Sequence, residues 1–274
     1  MEAVEVKNIE ESNFVQKRKR ISILGMKTDV ISVSKAANHI TDQLIPSIHQ
    51  TGSKYVCASN VHMCMESHDD NSFKEIVNNA DLVCPDGRPM VWAQKMFGEK
   101  NAKQVRGYDI TLALCAKAAE LGIPVGFYGA TKKHLQKIQN VLKKEFPRLK
   151  INCAIAPPFR TLTDTEDQRD IDQINNSDVK ILFVGLGCPK QERWMADHKD
   201  KLNCVMLGVG AVFDFIAGEK KHAPKFISNT GMEWLFRLAC EPTRLAGRYL
   251  KHNPRFVWHM ARNHLKKQKT PISL

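Results

Sequence analysis

Apolar residues along the chain come in short, nearly unbroken runs, separated by longer stretches in which they recur every three or four positions. ISILGM (21–26), TDVISV (28–33), KYVCAS (54–59), ADLVC (80–84), PVGFYG (124–129), LKINCAIA (149–156), VKILFVGL (179–186) and NCVMLGVG (203–210) have the length of strands. Helical periods fill the gaps. Residues 34–50 predict a helix capped by Ser34, and 89–97 one with Pro89 in its first turn. Residues 108–121 predict a helix that stops at Gly122. Further helices are expected over the Lys-rich stretch 131–145, the acidic stretch 163–175, and 189–199. Strands alternating with such helices imply βαβ units and a mostly parallel sheet. Strands that are apolar at nearly every position imply helices on both faces. The expected fold class is therefore α/β and Rossmann-like. From about residue 226 the strand pattern ends, and two or three helices broken near Pro242 and Pro254 are expected. This divides the chain into a flexible N-terminal arm (1–20), an α/β core (21–225) and a C-terminal helical appendage (226–274).

Charge sharpens that division. The chain of 274 residues carries a net +12, but residues 220–274 alone hold twelve Lys/Arg and only two acids, Glu233 and Glu241. The other residues are nearly balanced, so an anionic partner is expected at the C-terminal end. Trp234, Phe236, Tyr249, Phe256 and Trp258 lie among those cations, a pairing suited to an anionic membrane surface. No apolar run approaches the ~18 residues of a membrane span. The polar, acidic start MEAVEVKNIEESNF lacks the pattern of a secretory signal. A cytoplasmic protein, bound at most to a membrane surface, is expected. The eight cysteines form no C-x-x-C pair and sit mostly in apolar runs, as buried free thiols do.

In open α/β sheets, ligands bind beyond the carboxyl ends of the strands. There KYVCAS runs into Asn60, and ADLVC into Pro85-Asp86-Gly87. VGFYG ends in Gly129, and VMLGVG carries Gly208 and Gly210. VGLGCPKQERW passes from strand through Gly185 and Gly187 into a helix, a plausible phosphate cradle or simply a tight turn. Lys190 stands where the dinucleotide fingerprint needs its third glycine, which argues against a nicotinamide enzyme. Gln191 and Glu192 fall in the first helical turn, either as helix-end chemistry or as groups aimed at a sugar or phosphate. Asp86 is either a turn acid before Gly87 or a general base at the sheet edge. The aspartate pair Asp69-Asp70 reads as a helix-end cap, and no histidine spacing of the metal-ligand kind stands out. No metal and no cofactor are expected.

SN at 59–60, ADLVCPDGRPMVW, VRGYD, GLGCPKQERWM, GVGAVFDFIAGEKKHAPKF and GMEWLFRLACEPTRLAGRYL occur in this order. Together they resemble the WecG/TagA/CpsF family of bacterial glycosyltransferases over roughly residues 21–260. The resemblance implies a GT-E-like Rossmann core with an appendage. It also implies inverting, metal-free transfer from a UDP-sugar to a polyprenyl-diphosphate-linked saccharide. N-acetylmannosamine is the implied sugar, with its uronic acid or a glucose-type sugar of exopolysaccharide assembly as the alternative. The implied base is Asp86, joined by Asn60 and Gln191; the implied appendage cations are Arg237, Arg244 and Arg248. Around them Ser59, Gly87, Gln104, Arg106, Gly129, Gly185, Gly187, Lys190, Glu192, Gly210 and Asp214 are expected to bind substrate. Two positions depart from the family pattern: Ala58 replaces a hydroxyl residue, and Gln104 replaces an arginine. The implied location is the inner face of the cell membrane, and a homo-oligomer stays open. A nucleic-acid-binding protein would share the basic, aromatic tail, but no recognition motif accompanies it. A non-catalytic membrane scaffold would leave Asp86 and PKQE unexplained.

Overall fold

The computed structural model describes residues 18–220, 223–224 and 233–269, without the side chains of Arg244 and of residues 264–269. The arm expected at 1–20 thus lies almost wholly outside the described residues. Six parallel strands form the central sheet: β3 (Lys54–Ser59), β4 (Leu82–Pro85), β5 (Val125–Gly129), β6 (Ile151–Ile155), β7 (Ile181–Gly185) and β8 (Val205–Gly208). Their spatial order is β4-β3-β8-β7-β5-β6. The chain moves outward from β3 to β4 at one edge and from β5 to β6 at the other, then fills the middle with β7 and β8. The strands that end beside the reversal share a carboxyl edge, with Ser59 paired to Pro85 and Gly208 paired to both Cys57 and Val184.

The unbroken apolar runs resolve into two cores of alternate residues. Tyr55, Cys57, Val83, Tyr128, Leu182, Val184 and Met206 face one core. Val56, Leu82, Cys84, Phe127, Ile181, Phe183 and Leu207 face the other. The second core is covered by α1 (Val33–His39), a π-helical turn (Ile40–Leu44), α2 (Ile45–Thr51), α6 (Gly107–Leu121), α7 (Lys132–Glu145) and α10 (Val212–Ile216). The first is covered by α3 (Val61–Asp69), α4 (Asn71–Asn78), α5 (Arg88–Met96), α8 (Asp164–Asn176) and α9 (Lys190–Asp197). The appendage supplies α11 (Glu233–Cys240) and α12 (Pro242–Lys269), and Phe256 and Met260 of α12 enter the first core beside α3.

Several expectations need correction. ISILGM and TDVISV do not join the main sheet. They yield β1 (Arg20–Ile23) and β2 (Met26–Asp29), an antiparallel hairpin closed by Leu24 and Gly25, both at positive φ. Buried Asp29 anchors the hairpin by accepting from Val83 N at 2.8 Å while pairing with Arg18 and Arg20. The first long helix starts at Val33, with Ser32 rather than Ser34 accepting from Lys35 N. Helices α3 and α4 were not foreseen as such. VHMCMESHD lacks a clear apolar stripe because α3 is covered by the core on one side and by α12 on another. Asp70 does cap a helix, accepting from Ser72 N and Phe73 N at the start of α4. Pro254 does not break α12, which runs through it; packing on α3 outweighs the loss of one backbone donor. All eight cysteines are free, six of them buried.

Candidate active site

The carboxyl ends of β3, β4 and β8, the loop after β7 and the two appendage helices enclose a cleft of about 700 Å³. At the end of β3, Asn60 caps α3, its side-chain oxygen accepting from Met63 N at 3.2 Å. At the end of β4, Asp86 N and Gly87 N both donate to Ser59 O, so the two strand ends are tied together. One oxygen of the Asp86 carboxylate accepts from Gly107 N at 2.8 Å. Gly107 opens α6, where backbone N–H groups lack helical partners and favour an anion. A Cβ at 107 would lie 3.2 Å from a Val212 methyl, a tight contact that glycine avoids. No described hydrogen bond engages the other Asp86 oxygen, and the residue lines the cleft.

Burial pushes the Asp86 carboxyl up to about 6. Arg237, the Gly107 N–H and Arg106 pull it down, while Glu233 adds to the rise. Both guanidiniums are fixed from the side. Arg106 forks onto Asp109 at 2.8 and 3.1 Å. Arg237 lies over the Phe215 ring at 4.9 Å and donates to Glu233, whose other oxygen is 4.0 Å from Arg106. Gln104 Nε2 donates to the Asp86 carbonyl, so it positions the loop of the acid.

Of the residues singled out from sequence, Asn60, Asp86, Gly87, Gln104, Arg106, Gly187, Gln191, Gly210, Arg237 and Arg248 line this cleft. Others stand apart from it. The Ser59 hydroxyl is buried and donates to Cys84 O. Gly129 and Gly185 are glycines for packing: a Cβ at 129 would lie 2.7 Å from Gly185 O, and one at 185 would lie 2.5 Å from the Phe213 ring. Lys190 is exposed outside the cleft, and Asp214 pairs with Lys220 at 2.6 Å. Arg244 has its side chain outside the described residues. Glu192 is fully buried behind the cleft, and burial raises its carboxyl. It accepts from Gln191 Nε2 at 2.7 Å, while Gln191 Oε1 accepts from Gly187 N at 3.1 Å. Gln191 is thus clamped beneath Gly208 and Gly210, holding the glycine loop open.

Glu233, Lys220 and Trp92 also line the cleft and were missed, and so do Trp234 and Tyr249, which the sequence assigned to a membrane surface. Trp92 had a signal: it follows Arg88 by one helical turn and precedes Met96 by another, a half-exposed apolar stripe at the mouth. A smaller recess of about 320 Å³ shares Arg88, Gln104 and Arg106 with the cleft and adds Lys95 and Lys103.

A Rossmann-like parallel sheet with a carboxylate and several cations over its carboxyl edge is the framework of a glycosyltransferase. Residues 21–270 match the glycosyl transferase WecG/TagA/CpsF family, and the chain belongs to it. Two similar proteins bear the name N-acetylglucosaminyldiphosphoundecaprenol N-acetyl-beta-D-mannosaminyltransferase. The one from Bacillus spizizenii is 28% identical over 72% of this chain and 75% of its own length. The one from Staphylococcus aureus is 26% identical over 89% of this chain and 92% of its own.

Proposed function

We propose that this enzyme transfers N-acetylmannosamine from a UDP-sugar to the sugar of a polyprenyl-diphosphate-linked acceptor of the N-acetylglucosaminyl-diphosphoundecaprenol kind, with inversion. The relatives' names favour this donor sugar over a glucose-type one. The observation that carries the chemistry is Asp86, held by one oxygen on Gly107 N, with a carboxyl near 6 inside the cleft. A base with that value is ionised at neutral pH yet still takes a proton readily. Asp86 would remove the acceptor hydroxyl proton as its oxygen bonds to the sugar's anomeric carbon. The bond from that carbon to the diphosphate breaks, and UDP leaves. Arg237 and Arg248, with Arg244 in the same appendage, would take up the charge gathering on UDP. The Gly187 and Gly210 loops, shaped by Gln191, would admit its phosphates.

The lipid end of the acceptor suggests where the protein works. Leu250, Val257 and Trp258 of α12 are 73, 65 and 56% exposed, and Leu235 of α11 is 44% exposed. Such residues on a basic appendage suit peripheral attachment to an anionic membrane, here its inner face. No helix among the described residues is long and apolar enough to cross a membrane. Two cations of α12 are engaged within the protein rather than turned toward lipid. Arg248 turns to the cleft and Arg255 forks onto Asp69 at 2.6 and 2.9 Å. The test is UDP release with lipid-linked acceptor, compared between wild type and Asp86→Asn. Equal turnover in a folded Asp86→Asn protein would leave Asp86 as a helix cap only.

A further inference from the structure

Three ligand-type side chains meet where α3 of the core packs against α12 of the appendage, and the transfer chemistry uses none of them. His62 and Glu66 stand one turn apart on α3, and His252 faces them from α12. Their donor atoms lie within 4.8 Å of one another. His62 Nε2 and His252 Nε2 are each 3.6 Å from the same oxygen, Glu66 Oε1. That is longer than a hydrogen bond, whose heavy atoms sit about 2.7–3.2 Å apart. It is close to the roughly 3.3–3.4 Å between two ligands of one tetrahedral ion at about 2.0–2.1 Å. His252 is buried, and the Nδ1 atoms of both rings are buried without a hydrogen-bond partner among the described residues. An ion held there would sit on the Nε2 side, and each Nδ1 is left to an outer partner such as a water.

A simple ion pair does not account for the arrangement, because two imidazoles share one carboxylate oxygen at a distance beyond hydrogen-bond reach. Histidine holds a zinc-class ion through a ring nitrogen of its neutral form. We propose that His62, Glu66 and His252 form a site for a zinc-class divalent ion that clasps the appendage helix to the core. Two imidazoles and one carboxylate suit Zn²⁺, and also Co²⁺ or Ni²⁺, better than Mg²⁺, which prefers oxygen ligands. Both histidines border the cleft, so a water on that side supplies the fourth ligand. Arg248 and Lys251 weaken the site for a cation, while Asp69 offsets Arg255 by pairing with it. The sequence showed no such site because the third ligand comes from the other end of the chain. This ion is distinct from the diphosphate-bound metal whose absence the sequence predicts.

The full-length protein, stripped with chelator and desalted, should bind one equivalent of Zn²⁺ by calorimetry. Co²⁺ should give the visible bands of a four-coordinate site. Zn²⁺, and not Mg²⁺, should raise the melting temperature. His252→Ala and Glu66→Gln should each weaken Zn²⁺ binding by more than the roughly 10–100-fold that loss of an outer-shell partner costs. Glu66→Gln keeps the shape of α3, so it decides the matter should His252→Ala fail to fold. No stoichiometric Zn²⁺ in the wild type, or the same affinity and bands in Glu66→Gln, would overturn the clasp.

Discussion

The N–H of Gly107 holds one oxygen of Asp86, and the second oxygen is left to whatever enters the cleft. A turn acid on the open surface would keep an ordinary carboxyl; this one is half-buried in the cleft, and desolvation there moves it to about 6. Asp86→Asn keeps the acceptor for Gly107 N and removes the base, so kcat should fall by roughly 10²–10⁴-fold. The pH profile gives an independent reading. As pH falls through about 6 the base takes a proton, so kcat/KM of the wild type should drop on that acid limb. The residual rate of Asp86→Asn should lack the limb. Stability should move the other way. A carboxyl raised by burial costs stability once ionised, at pH above its ordinary value, and the full cost is reached above about 6. Asp86→Asn should therefore melt no lower than wild type at pH 7.5, by calorimetry; a clear drop would mean that the carboxylate holds the fold together. Glu233 sits between Arg106 and Arg237, so Arg237→Ala should lower turnover while leaving the melting temperature close to wild type.

At the scale of elements, glycines of similar appearance in the sequence separate into two kinds. Gly187 has φ +81° with open space beside it, next to the cleft. Gly185 would drive a methyl group into the Phe213 ring. Gly185→Ala should destabilise the fold by about 1–3 kcal/mol through overpacking, read as a lower urea midpoint. An unchanged midpoint would free Gly185 for a ligand role. The strands, their order of appearance, the acid after β4 and the glutamine after β7 were legible because each is a local pattern: an apolar run, a turn pair, a helix start. The antiparallel hairpin was not, since β2 reads Met-Lys-Thr-Asp rather than an apolar run and only the turn at Leu24 and Gly25 marks its start. Nor was the packing role of Ser59, Gly129 and Gly185, which depends on partners far away in sequence. Glu233 and the histidine cluster escaped for the same reason: their meaning arises when the appendage folds back over the carboxyl edge.

For the whole molecule, the proposed part of the appendage is to connect the chemistry to the lipid. Its helix α12 buries Phe256 and Met260 against the core and leaves Leu250, Val257 and Trp258 outside. Replacing those three outer residues by serine should weaken binding to anionic vesicles while the protein stays folded. Anionic lipid attracts basic residues near its surface by ~1 kcal/mol each, so vesicle binding should also weaken as salt rises. Salt-independent binding would remove the electrostatic part of this picture. Added Mg²⁺ or Mn²⁺ should leave turnover unchanged, because charge on the leaving diphosphate is assigned to the arginines. The most direct measurement of the central claim is sugar transfer by the purified full-length protein. It would be given UDP-N-acetylmannosamine and a polyprenyl-diphosphate-linked N-acetylglucosamine, with Asp86→Asn run alongside. The account predicts one UDP released per disaccharide formed, inverted stereochemistry at the transferred carbon, and a loss of at least about 10²-fold in the variant. Transfer at the wild-type rate by a folded Asp86→Asn protein, or a product with retained configuration, would contradict it.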